Sequence, residues 1–168
     1  MNNYLTKIES ELGNWRELPE NPFKKRLHYA VFSSLNDQLI DQALYEAIFQ
    51  LNENNGNNRL IFKSFLDVVG RIPNLLIQRN KRWEEVESFQ DSSLVNEGFY
   101  ITGEKLNWLG IYHPDNYFVL GTSQNGLEDV CKHVYGHVDW VQEFINQYET
   151  GKLEIYQQDF EELKRHLL

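Results

Sequence analysis

Four residues of types that bind metals or transfer protons fall between positions 131 and 139: Cys131, His133, His137 and Asp139. The two histidines are four residues apart, the spacing with which a helix presents a His pair to one ion. On one continuous helix, at about 100° per residue, the two histidines would lie within about 40° of each other, whereas Cys131 and Asp139 would point well away. Only the His pair is therefore a candidate metal site.

The His pair lacks the other parts of a metal-dependent hydrolase. Val134 occupies the position at which an H-E-x-x-H helix carries its general base. A third ligand would have to come from a distant part of the chain, such as His113 or Glu97. Histidines at the border of a packed helix face explain the pair more simply. We therefore predict no metal and no cofactor, and we keep a metal-dependent hydrolase using His133 and His137 as the alternative.

No other pattern of catalytic chemistry is present. The chain has no nucleophile elbow, phosphate-binding loop, dinucleotide-binding glycine motif or C-x-x-C pair. Adjacent carboxylates such as Glu84-Glu85 and Glu161-Glu162 do not face one another on a helix, so they form no acid/base pair. The single Cys131 leaves no internal disulfide, as is typical of a reducing compartment. These observations favour a binding protein over an enzyme.

The acidic charge lies almost wholly in the second half of the chain. Residues 1–82 carry 11 Lys/Arg and 9 Asp/Glu, a net of +2. Residues 83–168 carry 5 and 16, a net of −11, and the two halves sum to the −9 of the whole chain. Such a field repels nucleic acid and anionic membranes and attracts a basic protein surface. With no signal peptide and no membrane-length apolar run, we expect a cytoplasmic protein that binds neither nucleic acid nor membrane.

The pattern of apolar residues predicts an α+β fold with a helical N-terminal half. Apolar residues at helical spacing indicate helices in four stretches, namely 4–12, 23–35, 39–51 (capped by Asn36 or Asp37) and 60–69. Residues 28–33 are also compatible with a strand, and residues 75–95 with either a strand or a helix. The length predicts a single domain, 1–168, with a division near 80–95 as the alternative.

The second half is predicted to hold a three-stranded antiparallel meander, at about 98–121, packed with a long helix and a short C-terminal helix. Aromatic and β-branched residues dominate the three strands, Phe99–Thr102, Leu106–Tyr112 and Tyr117–Leu120. The Pro-Asp-Asn run at 114–116 indicates a tight turn. Ser123 or Asn125 caps the long helix, about 125–149, which Thr150-Gly151 ends.

The meander carries apolar residues on both faces, although an antiparallel sheet normally keeps one face wet. Either helices cover both faces, or part of one face is left for a partner. Tyr and Trp among acidic residues are typical of a protein-binding hot spot, and one side of the long helix forms an acidic ridge. The candidate partner-binding residues are Tyr100, Glu104, Trp108, Tyr112, Asp115 and Tyr117 on the sheet and Glu128, Asp139 and Glu143 on the helix.

Together these features predict an acidic protein-binding module whose C-terminal half docks on a basic protein. Its most concrete form is an immunity or inhibitor protein that neutralises a bacterial toxin. Such proteins are small, acidic and free of catalytic motifs, and they meet cationic nucleases by charge complementarity. Two other classes stay open: the metal-dependent hydrolase, and a structural or assembly subunit that oligomerises through its aromatic sheet.

Overall fold

A six-stranded antiparallel sheet forms the centre of the molecule. The structure, a computed structural model, describes Lys7, Ser10 and residues 27–33, 40–65, 75–91, 98–113 and 117–167. The strands are β1 (His28–Ser33), β2 (Leu60–Ser64), β3 (Leu75–Gln78), β4 (Phe99–Gly103), β5 (Leu109–His113) and β6 (Tyr117–Thr122). Their spatial order is β1-β6-β5-β4-β2-β3, so β1 and β3 are the edges of the described sheet.

Helices cover both faces of this sheet. The continuously described segments contain α1 (Gln42–Asn54), α2 (Trp83–Gln90), α3 (Gln124–Tyr135), α4 (Trp140–Glu149) and α5 (Gln157–Leu167). On the first face, α1, α2 and α3 enclose a core that includes Phe32, Phe62, Phe99, Trp108 and Phe118. On the second face, α4 and α5 enclose a core that includes Val31, Ile111, Val119, Phe144 and Phe160.

The α+β class agrees with the sequence, but the prediction of a helical N-terminal half beside a three-stranded meander is wrong. Within the described part of that half, β1, β2 and β3 are strands, and α1 is a helix. β1 pairs with β6, from His28 opposite Thr122 to Ser33 opposite Tyr117. β2 joins the meander through β4, with Phe62 opposite Ile101. The meander is thus the middle of a sheet twice its predicted size.

Burial on both faces explains this error. Successive strand residues point to opposite faces, so a sheet covered on one side only alternates apolar and polar residues. In β1 and β2 both sets of side chains are buried, and the alternation is lost. A short continuous apolar run is then compatible with the helical period as well.

The predicted long helix over 125–149 is also wrong, because it is two helices. Ser123 caps α3, its Oγ accepting from Gly126 N at 3.2 Å, and α3 ends at Tyr135. Gly136 follows with φ of +78°, a left-handed conformation that glycine adopts without strain. Asp139 then caps α4, its Oδ1 accepting from Gln142 N at 2.9 Å. The end of α4 at Thr150-Gly151 is as predicted.

Other boundaries are settled in the described residues. The ambiguous stretch 75–95 contains β3 and α2. The predicted helix 39–51 corresponds to α1, but its N-cap is Asp41, whose Oδ1 accepts from Leu44 N at 2.7 Å. Asn36 and Asp37 lie outside the described residues. The structure also contains few of the other predicted helices: most of 4–12, 23–35 and 60–69 is either strand or outside the described residues. None of the helices described here is long and apolar enough to cross a membrane.

Candidate functional site

The four aromatic residues predicted to contact a partner lie in the interior. Tyr100, Trp108, Tyr112 and Tyr117 are each 4% exposed or less. Trp108 and Tyr112 pack in the first core, and Tyr100 and Tyr117 pack in the second. Of the two explanations for the apolar meander, cover by helices on both faces is the one found. These rings position the sheet, so any docking surface has to be built from other residues.

Two of the acidic residues predicted to contact a partner, Glu104 near the sheet and Glu128 on α3, lie at the surface. Glu104, in the turn between β4 and β5, is partly exposed, and its Oε2 lies 3.6 Å from Arg59 Nε. Its other oxygen accepts from Asn58 N at 3.3 Å, which ties this turn to the end of α1. Glu128 is partly exposed on α3 and accepts from Gln124 Nε2 at 3.0 Å. Asp115 lies outside the described residues.

The break between α3 and α4 divides the predicted acidic ridge. Glu128 lies on α3, whereas Asp139 and Glu143 lie beyond the break on α4. Asp139 is exposed and uses one carboxylate oxygen as the helix cap. Glu143 is oriented by two neighbours, with Oε2 3.3 Å from His137 Nε2 and Oε1 accepting from Gln147 Nε2 at 3.1 Å. The three carboxylates therefore belong to two separate helices.

The same break separates the two histidines. His133 is on α3, but His137 follows Gly136 and lies outside any helix, so the pair does not share a helix face. Among the described residues there is no group of three His, Cys, Asp or Glu side chains that could hold a metal ion. Burial, reinforced by the charge of Glu143, raises the pKa of the Cys131 thiol to about 12. It is a packed thiol and a poor nucleophile.

A polar network lies at the β1 edge of the sheet. The backbone N–H of Ser33 donates to Gln147 Oε1 at 2.9 Å, and Gln147 Nε2 donates to Tyr135 OH at 2.7 Å. Tyr135 ends α3 on the first face, where its ring stacks on Phe32, and Gln147 belongs to α4 on the second face. The chain thus passes around the edge strand. We call Ser33, Tyr135, Glu143 and Gln147 the β1 clasp.

The titration of Tyr135 reflects this enclosure. Burial raises the pKa of its hydroxyl, while the hydrogen bond from Gln147 acts in the opposite direction and does not cancel that effect. The negative charge of Glu143 raises the pKa further. A neutral hydroxyl is therefore held at the junction of the two helix layers.

A groove lies beside the opposite edge, β3. It has a volume of about 380 Å³ and is lined by Leu75, Leu76, Glu84, Glu85, Ser88 and Phe89, and we call it the β3 groove. Its lining is largely apolar, with two carboxylates from the first turn of α2. Next to it, Ile77 exposes 40% of its surface, which is unusual for a large apolar residue in this molecule.

The wall of the β3 groove is held by a buried amide. Gln78 Oε1 accepts from Tyr45 OH at 2.9 Å, and Gln78 Nε2 donates to Arg82 O at 2.7 Å. Arg82 N donates to Tyr45 OH at 2.8 Å, and Arg82 Nη1 lies 3.0 Å from Glu85 Oε1. These bonds connect the start of α2 to β3 and α1 beside the groove.

Most carboxylates of the acidic half are not neutralised. Of its 16, the structure describes 14, and four of these lie within 4 Å of a Lys, Arg or His side chain: Glu85, Glu104, Glu143 and Glu162. The remaining ten have no cation that close among the described residues, namely Glu84, Glu87, Asp91, Glu128, Asp129, Asp139, Glu149, Glu154, Asp159 and Glu161. All ten are exposed or partly exposed.

The sequence did not reveal the clasp or the groove. Gly136 followed by Asp139 is a helix stop and a helix start, and this signal could have placed an elbow there. Leu75-Leu76-Ile77 is too short a run to assign from periodicity. The chain matches no family model, and comparison with curated proteins and with solved structures gave no match.

Proposed function

We propose that the protein is a cytoplasmic, acidic protein-binding module that docks on a basic protein, most concretely as an immunity or inhibitor protein that neutralises a bacterial toxin such as a nuclease. The observation that supports this is the set of ten surface carboxylates without a cation nearby. The same field disfavours nucleic acid and anionic membranes as partners.

The cost of this charge to the free protein favours a partner. Like charges on a compact molecule repel one another and weaken the folded state. A cationic partner relieves that repulsion and is also steered toward the surface, so its association is fast and sensitive to salt. The pairs Arg59–Glu104 and Lys81–Glu46 already occupy two of the chain's own cations.

The two alternatives have less support from the described geometry. A hydrolase that uses His133 and His137 would need them on one face, and α3 ends between them. Assembly through the aromatic sheet would need exposed rings, and both faces of the sheet are covered.

Affinity capture followed by kinetics tests the proposal. The purified chain is used at low salt to capture proteins from its native host, and the association rate of the captured protein is measured by stopped flow. We expect a basic protein whose association rate falls at least about ten-fold between 0.05 and 0.5 M NaCl. If that protein is a nuclease, the chain should inhibit it.

Charge reversal on the acidic half supplies the control. Reversing Asp129 to lysine should slow association, whereas the matched single reversal of Glu53 on α1, in the near-neutral half, should slow it less. A partner with an acidic surface, or an association rate unchanged by 0.5 M NaCl, would contradict the proposed function.

A further inference from the structure

The β3 groove combines three properties. It is concave and largely apolar, and its volume of about 380 Å³ is within the size range of small binding pockets. It borders an edge strand, and its wall is an acidic helix. We propose that this groove is the docking site for an extended, basic segment of the partner, which inserts an apolar side chain between β3 and α2. This inference rests on the proposed function.

The floor of the groove is suited to an apolar side chain. Leu75 and Leu76 are only half-buried, although they belong to a strand, and Phe89 presents the edge of the first core. An inserted side chain would remove this apolar area from water, which stabilises a complex by about 25 cal/mol per Å² before the costs of association. The bonds of Gln78 and Arg82 hold the walls, so little ordering is needed on binding.

The edge position indicates an extended segment. Among the described residues, β2 pairs with one side of β3 and no strand pairs with the other side. The outer backbone groups of an edge strand can pair with a strand from another chain, and side-chain pockets beside the edge then select the sequence. Ile77, exposed on the same strand, would gain cover from such a segment.

The charge of α2 indicates that the segment is basic. From Trp83 to Asp91 there are four carboxylates and no Lys or Arg. Arg82 neutralises Glu85, but Glu84, which also lines the groove, has no described cation within 4 Å. The helix dipole favours carboxylates in the first turn of α2 but disfavours Asp91 at its C-cap. A cation supplied by the partner would offset that charge.

A defined peptide tests the groove without the natural partner. The probe is a fluorescein-labelled nonapeptide in which Lys alternates with Val, titrated against the full chain at 50 mM NaCl. We expect saturable binding with a Kd below about 1 mM. Amide resonances of Leu75–Gln78 and of α2 should shift in ¹H–¹⁵N spectra, while those of β1 should not.

Substitutions at Ser88 and Glu84 locate the site. Ser88 lines the groove, and its hydroxyl donates only to Glu84 O within α2, so its replacement leaves the fold intact. Ser88→Trp fills the groove and should weaken the peptide at least about ten-fold, whereas Ser88→Ala should change its Kd less than about two-fold. Glu84→Lys should weaken it about five-fold or more, and the matched reversal Glu161→Lys on α5 about two-fold or less.

The outcomes separate this inference from the proposed function. The groove is excluded if the peptide does not bind by about 1 mM, if Ser88→Trp binds as well as Ser88→Ala, or if Glu161→Lys weakens binding as much as Glu84→Lys. If a captured basic partner binds Ser88→Trp and Glu84→Lys as tightly as the unchanged protein, the groove is not its docking site, while the proposed function stands. A captured partner that is not basic would overturn the proposed function itself.

Discussion

The two edges of the sheet are treated in opposite ways. At β1, the chain runs from α3 around the edge to α4, and Gln147 supplies an acceptor to Ser33 N on the outer side of the strand. At β3, the buried amide of Gln78 points inward to Tyr45 and Arg82, and the outer side has no described strand beside it. A glutamine is buried at each edge, but of the two only Gln147 is described as bonding to an outer backbone group of its edge strand.

The difference indicates where this molecule can accept another chain. An open edge is a liability, because its backbone groups pair readily with foreign strands. At β1, Gln147 bonds to one outer backbone group, Ser33 N–H, and both α3 and α4 contact the strand. At β3 there is an apolar groove lined in part by the acidic helix α2, and Ile77 on the same strand is exposed. A monomer that needed no partner would gain by covering the second edge as it covers the first.

The largest expected effect comes from breaking the clasp with Gln147→Leu. The change leaves Ser33 N–H and the Tyr135 hydroxyl buried without this partner, and each such group costs about 1–3 kcal/mol. We expect the free energy of unfolding in urea to fall by about 3 kcal/mol. Hydrogen exchange should accelerate at Val31 and Ser33 but not along β3.

Gln142→Ala is the matched control for that loss. Gln142 lies on the same helix, but it is exposed and its side chain bonds only to the exposed Asn146. Its removal should cost less than about 0.5 kcal/mol. Equal losses for the two variants would show that the clasp does not stabilise the β1 edge.

The burial of Cys131, on the same helix as Tyr135 of the β1 clasp, can be tested by the loss of stability at alkaline pH. Burial raises the pKa of its thiol from 9.0 to about 12, so its contribution to stability is complete below pH 9 and is lost as pH rises toward 12. At 1.36 kcal/mol per pH unit, the loss is about 2 kcal/mol at pH 10.5. The measurement compares unfolding free energies at pH 8 and pH 10.5.

Cys131→Ala is the reference for that comparison. Its absolute stability should be lower, because a buried side chain is truncated, but its decline between the two pH values should be smaller by about 2 kcal/mol. Tyr29 and Tyr112, whose pKa values burial also raises to about 12, contribute equally to both proteins. Identical declines would mean that the thiol is not buried as described.

A smaller effect is expected from Tyr135→Phe, which keeps the stacking on Phe32 and removes only the hydroxyl. Gln147 Nε2 loses one acceptor but keeps Glu143 Oε1 at 3.1 Å. We expect a loss of about 1 kcal/mol in urea unfolding. Tyr148→Phe, on the stack with Phe160, should change the free energy by less than about 0.5 kcal/mol.

The parts of the fold that the sequence predicted correctly are those with a local signal, namely a turn motif, an amphipathic stripe or a capping residue. The β5–β6 hairpin, with His113 paired to Tyr117, follows from aromatic strands around a Pro-Asp-Asn turn. Helix α1 and the helix start at Ser123 follow from an amphipathic stripe and a capping residue. In each, the chemical signal lies within a few residues along the chain.

The parts that could not be predicted depend on contacts between distant residues. β1 and β2 are buried on both faces only because helices from both ends of the chain cover the sheet. Ser33 N–H donates to Gln147 only because β1 is an edge strand, and the two residues are 114 positions apart in the sequence. A list of aromatic residues could not distinguish a hot spot from a core for the same reason.

Ile77→Lys is expected to have the smallest effect on stability. It also tests most directly whether the peptide prefers the β3 edge to the β1 edge. Ile77 is 40% exposed, so the change should alter the free energy of unfolding by less than about 0.5 kcal/mol. Its new positive charge and its lost apolar contact should nevertheless weaken the Lys-Val peptide several-fold. Val138→Lys is the counterpart beside the clasp, since Val138 is 47% exposed between α3 and α4. Val138→Lys should leave the Kd of the peptide unchanged, because Val138 does not line the β3 groove. Equal weakening of peptide binding by the two lysines would show only a general loss of negative charge and no preference for β3.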